Sequence, residues 1–314
     1  MLDLKDRQII YELDKDARIS FSQIAKKIKL SKNSVINRIK NLEKEKIILG
    51  YNTLININEL GYTTYDIYLK FQDTTPEKES EIIDLLVKNK DVWFVARAEG
   101  DVNLALLIST KTPEEFNSIW DKIYFRIKQF VKIVRITILL EYHHFGRKYL
   151  LEKKDEKTTV IIGKRGNQEI NELDNRLLKL LSENARISLL KLSEKLKINP
   201  KAVQYKIEKL KKQNIILGYK INLNFSKIGY EYYKVNIELN DLKIRDEIYS
   251  WILSSPNVVY FDKFIGGSDI EFDMEVQSFE VFLNFMNELK SKFKGTIKEY
   301  SFLIVQIFYK SNYF

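Results

Sequence analysis

Two histidines, His143 and His144, and no cysteine occur in the 314 residues, which excludes thiol nucleophiles, thiolate metal sites and disulfides together. The imidazoles are adjacent within a β-forming run, where consecutive side chains point to opposite faces, so they cannot share one centre in regular geometry. No Ser/His/Asp arrangement, phosphate loop or multi-histidine metal spacing is present. The expectation is therefore not an enzyme, with no catalytic residue, no metal and no cofactor. What the residue types do suit is hydrogen bonding to bases and phosphates. Asn33, Ser34, Asn37, Arg38 and Asn41 recur at helical spacing opposite Val35, Ile39 and Leu42. Arginine can bond guanine bidentately and asparagine adenine. A second set, Lys201, Tyr205, Lys206 and Lys209, lies opposite Val203, Ile207 and Leu210 and is weighted toward phosphate contact.

The two sets are copies. Ala17-Arg18-Ile19-Ser20 recurs as Ala185-Arg186-Ile187-Ser188, and Ile47-Ile48-Leu49-Gly50-Tyr51 as Ile215-Ile216-Leu217-Gly218-Tyr219, at a spacing of 168. Pairing 6–62 with 174–230 gives 20 identities in 57 positions without a gap, the mark of an internal duplication. The net charge of +9 follows that division. Residues 1–50 carry +5 and 171–218 carry +6, whereas everything else totals −2. Charge spread merely for solubility would not segregate this way, so a polyanion partner is expected at those two segments. No apolar run reaches the roughly 18 residues of a membrane span, and the charged start does not suit a signal peptide. A cytoplasmic protein with no membrane partner is expected.

Each basic segment reads as three short helices. In copy one Ile9, Ile10 and Leu13 mark the first, Ser20 to Gln23 is a capping box opening the second, and Ser31 caps the third. In copy two Asn199-Pro200 starts the third helix. Ile47 to Asn56 and Ile215 to Asn224, each with Gly-Tyr near the middle, are expected to form short two-stranded wings. Each copy then continues with the order βαββαβ, a ferredoxin-like arrangement. The fold class is α+β. The domains expected are winged helix-turn-helix units at 1–56 and 171–224, ferredoxin-like units at 57–146 and 225–314, and a linker at 147–170 in which Val160-Ile161-Ile162 could add one strand. The uncovered sheet faces, with Trp93, Val95, Ile133, Ile136, Ile138, Phe302, Ile304 and Ile307, predict sheet-to-sheet association.

With Asp6, Ala17-Arg18, Ser31-x-x-Ser34-Val35-x-x-Arg38-Ile39-x-x-Leu42 and Ile47-Ile48-x-Gly50-Tyr51 … Gly61-Tyr62, nearly the whole chain resembles, twice over, the Lrp/AsnC family of leucine-responsive or feast/famine regulators. The resemblance implies a RAM-type second domain that mediates dimerisation, and an amino-acid effector bound between such domains. The family's effector turn, Gly-x-x-Asp, maps to Gly100-Asp101-Val102-Asn103 and to Gly266-Gly267-Ser268-Asp269, which places Gly100, Asp101, Asn103, Gly266, Ser268 and Asp269 as effector candidates. Copy one carries Asn where the pattern has Asp, and a plain turn role competes there.

The function expected is a sequence-specific regulator of transcription on double-stranded DNA. It would act as a fused pseudo-dimer with an effector and with further homo-oligomerisation open. An architectural DNA-binding protein is the alternative. An enzyme similar to the siroheme decarboxylases, which share the fold, is a remote one.

Overall fold

A computed structural model describes residues 2–151, 159–163 and 165–311. Residues 152–158 and 164 of the expected linker, and 312–314 of the last expected domain, lie outside the described residues. Copy one opens with α1 (Leu4–Lys15), α2 (Phe21–Ile28) and α3 (Lys32–Lys44), and copy two with α6 (Glu172–Glu183), α7 (Leu189–Leu196) and α8 (Pro200–Lys212). Their starts are local chemistry. Asp3 and Ser20 form capping boxes with Asp6 and Gln23, while Ser31, Asn171, Ser188 and Asn199 each accept the backbone N–H three residues on. Ile9, Ile10, Leu13, Ile24, Val35 and Ile39 close one small core, and Leu177, Leu178, Leu181, Leu192, Val203 and Ile207 the other.

The expected wings are absent. Ile48–Ile55 (β1) and Ile216–Leu223 (β7) are single strands that pair antiparallel with each other. Gly50 and Gly218 hold no positive φ and stay in the strand, so neither run turns back on itself as a hairpin. The ladder partner that each lacks locally is supplied by the other copy, and the two cores become one continuous cluster.

The βαββαβ order is present in both copies. In copy one it is β2 (Thr63–Phe71), α4 (Pro76–Lys88), β3 (Val92–Glu99), β4 (Leu104–Thr110), α5 (Pro113–Ile127) and β5 (Val131–Phe145). After it the apolar run in the linker forms β6 (Thr159–Ile162), paired to the end of β5. Copy two repeats the order with β8 (Glu231–Leu239), α9 (Arg245–Ile252), β9 (Val258–Ile265), β10 (Ile270–Val276), α10 (Phe279–Lys292) and β11 (Ile297–Ser311).

The two sheets associate through their edges. The first half of β5 pairs with β2 and its second half with β9. Likewise β11 pairs with β8 and then with β3. Eight strands thus close in the order β2-β4-β3-β11-β8-β10-β9-β5 and back to β2, which removes the open edges of both sheets. The side chains expected on the joined faces divide differently. Trp93 lines the interior, Val95 and Ile133 pack under the helices, and Ile136, Ile304 and Ile307 are exposed. Register shifts within β2–β5, β3–β4 and β3–β11 interrupt strict alternation, so a period of two misassigns faces beyond each bulge. Polar side chains occupy much of the interior instead, among them Asp66, Lys234, Glu271 and Asp273.

Candidate nucleic-acid interface

On α3 the side chains of Asn33, Asn37 and Asn41 are exposed and Ser34 is half-buried, its N–H bonded to Ser31 Oγ at 3.1 Å. On α8 Lys201 and Lys209 are exposed and Tyr205 is 71% exposed. The apolar stripes of both helices face inward, so these residues share one outer face per helix.

Two residues expected on those faces have other work. Arg38 Nη1 lies 2.7 Å from Asp6 Oδ1 and 2.8 Å from Asp3 Oδ2, and the hydrogen bonds it donates to Asp6 and then Asp3 raise its pKa further. At the matching position Lys206 Nζ lies 2.6 Å from Asp174 Oδ1, a carboxylate buried on α6. In the chain without DNA both cations are thus held in ion pairs within their own unit. Each pins the third helix of its unit to the first, because an acid on the first helix stands one interhelical gap from a cation on the third. The co-occurrence of Asp6 with Arg38 and Asp174 with Lys206 was the sequence signal.

The two units are locked reciprocally. Ala17 N donates to Tyr219 O at 2.9 Å and Ala185 N to Tyr51 O at 2.8 Å. Arg18 Nη1 donates to Ala185 O at 2.5 Å and Ile187 O at 3.2 Å, while Arg186 Nη1 donates to Ala17 O and to Ile19 O. Each guanidinium also lies over the opposite strand's tyrosine, Arg18 over Tyr219 and Arg186 over Tyr51, both at 5.4 Å. The repeated Ala-Arg therefore closes the other copy's turn, a role that no spacing argument reveals.

One unit has an extra mount. Asp14 of α1 is 1% exposed and receives Arg147 Nη1 at 2.7 Å and the Arg147 N–H at 2.9 Å. The same guanidinium grips Glu275 of β10 with Nε and Nη2, both at 2.9 Å, and Glu275 also accepts from Tyr149. Burial alone would raise the Asp14 pKa, but Arg147 and then Lys220 hold it below its ordinary value. Arg147, expected to open a linker, is instead 5% exposed at the junction of three segments, with Tyr149 and Leu150 buried after it. A charged Asp14 beside the apolar stripe Ile9, Ile10, Leu13 could have signalled this. The matching residue in copy two is Ser182.

The effector candidates form tight turns. Asn103 Oδ1 accepts the Phe71 N–H at 2.9 Å and Asp269 Oδ2 the Leu239 N–H at 2.8 Å, so Asn and Asp perform the same capping task. Gly100 has φ +123 and a Cβ there would lie 3.6 Å from Phe302 O; Gly266 has φ +78 and would meet Thr137. Each turn thus abuts the last strand of the other copy. Asp101 is exposed, with Lys70 at 3.8 Å, and the Ser268 N–H donates to Glu271 Oε1 at 2.8 Å. The imidazoles do diverge. His143 bonds Tyr249 and Glu141, at 2.9 and 3.0 Å, whereas His144 is buried against the Phe145 carbonyl.

Two basic helix-turn-helix units carried on a closed barrel of two ferredoxin-like halves define a helix-turn-helix protein of tandem architecture. A model of the AsnC-type helix-turn-helix domain matches residues 2–43, and one of the winged helix-turn-helix DNA-binding domain matches 170–216. The transcriptional regulator LrpA of Pyrococcus horikoshii is 33% identical over 139 residues, covering 44% of this chain and 97% of that protein. The regulator FL11 of Pyrococcus abyssi is 32% identical over 122 residues, 39% of this chain and 80% of that one. Among solved structures the siroheme decarboxylase NirDL aligns with a TM-score of 0.61 over 98% of this chain and 93% of that one; at 13% identity it shows the fold alone. The chain belongs to the Lrp/AsnC family of DNA-binding transcriptional regulators, as a tandem-duplicated member. No helix among the described residues is long and apolar enough to cross a membrane.

Proposed function

We propose that one chain acts as a fused pseudo-dimer that reads an imperfect inverted repeat, with α3 and α8 entering successive major grooves about one helical turn apart. The observation that carries this reading is the reciprocal closure of the two units by Arg18, Arg186 and the β1–β7 ladder. A single chain thereby holds two reading heads at fixed spacing, which otherwise requires two subunits, and the covalent link keeps the partner at high effective concentration. The heads are unequal. The exposed asparagines of α3 suit base edges, while Lys201, Tyr205 and Lys209 of α8 suit backbone contact.

The capping turns at Gly100–Asn103 and Gly266–Asp269 are the effector position in this reading, supported by their seat against the other copy's last strand. Asp269 retains the full charge that would attract an α-ammonium. Selection of bound sequences from random DNA, followed by footprinting with and without a panel of amino acids, tests the proposal. Discrete two-part sites at one chain per site support it. Uniform coverage at similar affinity would establish the architectural alternative instead.

A further inference from the structure

The eight strands and the β1–β7 ribbon, with Arg147, surround a cavity of about 140 Å³. Its walls differ because the copies have diverged at matching positions. Where β9 and β10 of copy two carry Asp262, Glu271 and Asp273, β3 and β4 of copy one carry Ala96, Ala105 and Leu107. The alanines withhold side-chain bulk and leave one half of the space open and apolar. The other half is crowded with charge.

The charge does not balance. Arg135 donates to both oxygens of Glu271, at 3.1 and 3.0 Å. Lys234 donates to Asp262 and lies 3.5 Å from Asp273 and 3.7 Å from Glu271. Those two cations face four carboxylates, the fourth being Asp66 on β2, the position that matches Lys234 in the duplication. Two further cations that line the cavity, Arg147 and Lys220, are set against Asp14 and Glu275, so that six carboxylates meet four cations. Asp66 and Asp262, each 6% exposed, line the cavity, and each has one carboxylate oxygen with no hydrogen-bond partner among the described residues. The hydroxyl of Thr137, the register partner of Asp66, is likewise without one. Buried polar atoms are rarely left this way without a ligand or water to receive them.

We propose that this cavity is a binding site for a small organic cation, a primary ammonium on a compact apolar body, with the ammonium held by Asp66 and Asp262 and the body against Ala96 and Ala105. An ammonium carries three donors and no acceptor, which answers acceptors in excess of donors and a surplus of negative charge. A carboxylate ligand would add to that surplus. None of the effector-turn residues lines this cavity, although Ser268 donates to Glu271 beside its charged wall, and the inference does not depend on an effector binding at those turns.

Calorimetric titration of the full chain with n-butylamine, isoamylamine and phenethylamine tests the inference, with isoamyl alcohol and isovalerate as neutral and anionic counterparts. Saturable binding of at least one amine is expected, at least tenfold tighter than either counterpart. Asp66→Asn should weaken it at least tenfold, and Ala105→Leu, which leaves every charge in place but fills the apolar half, should abolish it. No saturable amine binding, equal binding of the alcohol, or unchanged affinity in Asp66→Asn and Ala105→Leu would each overturn the proposal.

Discussion

The carboxylate of Asp14 and the guanidinium of Arg147 meet at 2.7 Å in a site where neither residue is more than 5% exposed, joining the first helix of one reading head to the barrel wall. Removing one member of such a pair strands the other in the interior. Asp14→Ala is expected to lower unfolding free energy by roughly 3–5 kcal/mol, and chemical denaturation measures it. Ser182→Ala, at the matching position of the second copy, should cost far less. Because Asp14 titrates below its ordinary value in the fold, its contribution is present above the unfolded carboxyl range and is lost as pH falls through the depressed value. The difference between wild type and Asp14→Asn should therefore shrink on acidification.

Arg18→Ala and Arg186→Ala each leave two carbonyls of the opposite turn without their donor. Affinity for an isolated half-site should stay within about twofold, while affinity for the full site falls about tenfold, equivalent to roughly 1.4 kcal/mol of lost spacing control. Gel-shift titrations with half and full sites distinguish this from general damage to a head, which would weaken both equally.

Arg38→Ala is expected to act on stability rather than on base preference, since its guanidinium is committed to Asp3 and Asp6. The pair is partly exposed, so the cost should be about 1 kcal/mol or less. Asn37→Ala, by contrast, should relax base preference at one half-site by roughly 1–3 kcal/mol. Sequence selection on the two variants checks both, and an altered motif in Arg38→Ala would return that residue to base reading.

Lys209→Ala should weaken binding to all sequences alike and reduce the slope of log affinity against log salt by about one. Fluorescence anisotropy across a salt series measures it. A change confined to one base position would instead mean that α8 reads bases.

Burial raises the Asp66 carboxyl from its ordinary 3.8 to about 6. For an acid raised in the fold, the native state holds the proton more tightly than the unfolded chain, so stability falls as pH rises from about 4 to about 6 and stays lower above that. Asp66→Asn should therefore be stabilising, on the order of 2–3 kcal/mol at pH 8 and close to neutral at pH 4. Melting curves at the two pH values test it.

Much of the fold was legible from local rules. Helix starts at Ser20, Ser31 and Asn199 follow from side chains that bond their own backbone three residues on, and the βαββαβ order follows from runs of β-formers separated by helical periodicity. The duplication and the placement of positive charge on α3 and α8 needed only self-comparison. These are properties of neighbours in the chain, and neighbours in the chain are what a sequence records.

The rest depended on residues far apart in the chain. Ile48–Ile55 and Ile216–Leu223 look like two wings because each strand's partner is 168 residues away, and a ladder's hydrogen bonds leave no trace in side-chain spacing. The pairing of Arg38 with Asp6 joins residues 32 positions apart, and Arg147 looks like linker until Asp14 and Glu275 close on it. A charge on an outward or terminal position is read as solvated by default. Which cation meets which carboxylate is decided by distances of a few ångströms that the chain crosses only when folded, so the residue types and their copies belong to the sequence and their partners to the tertiary structure.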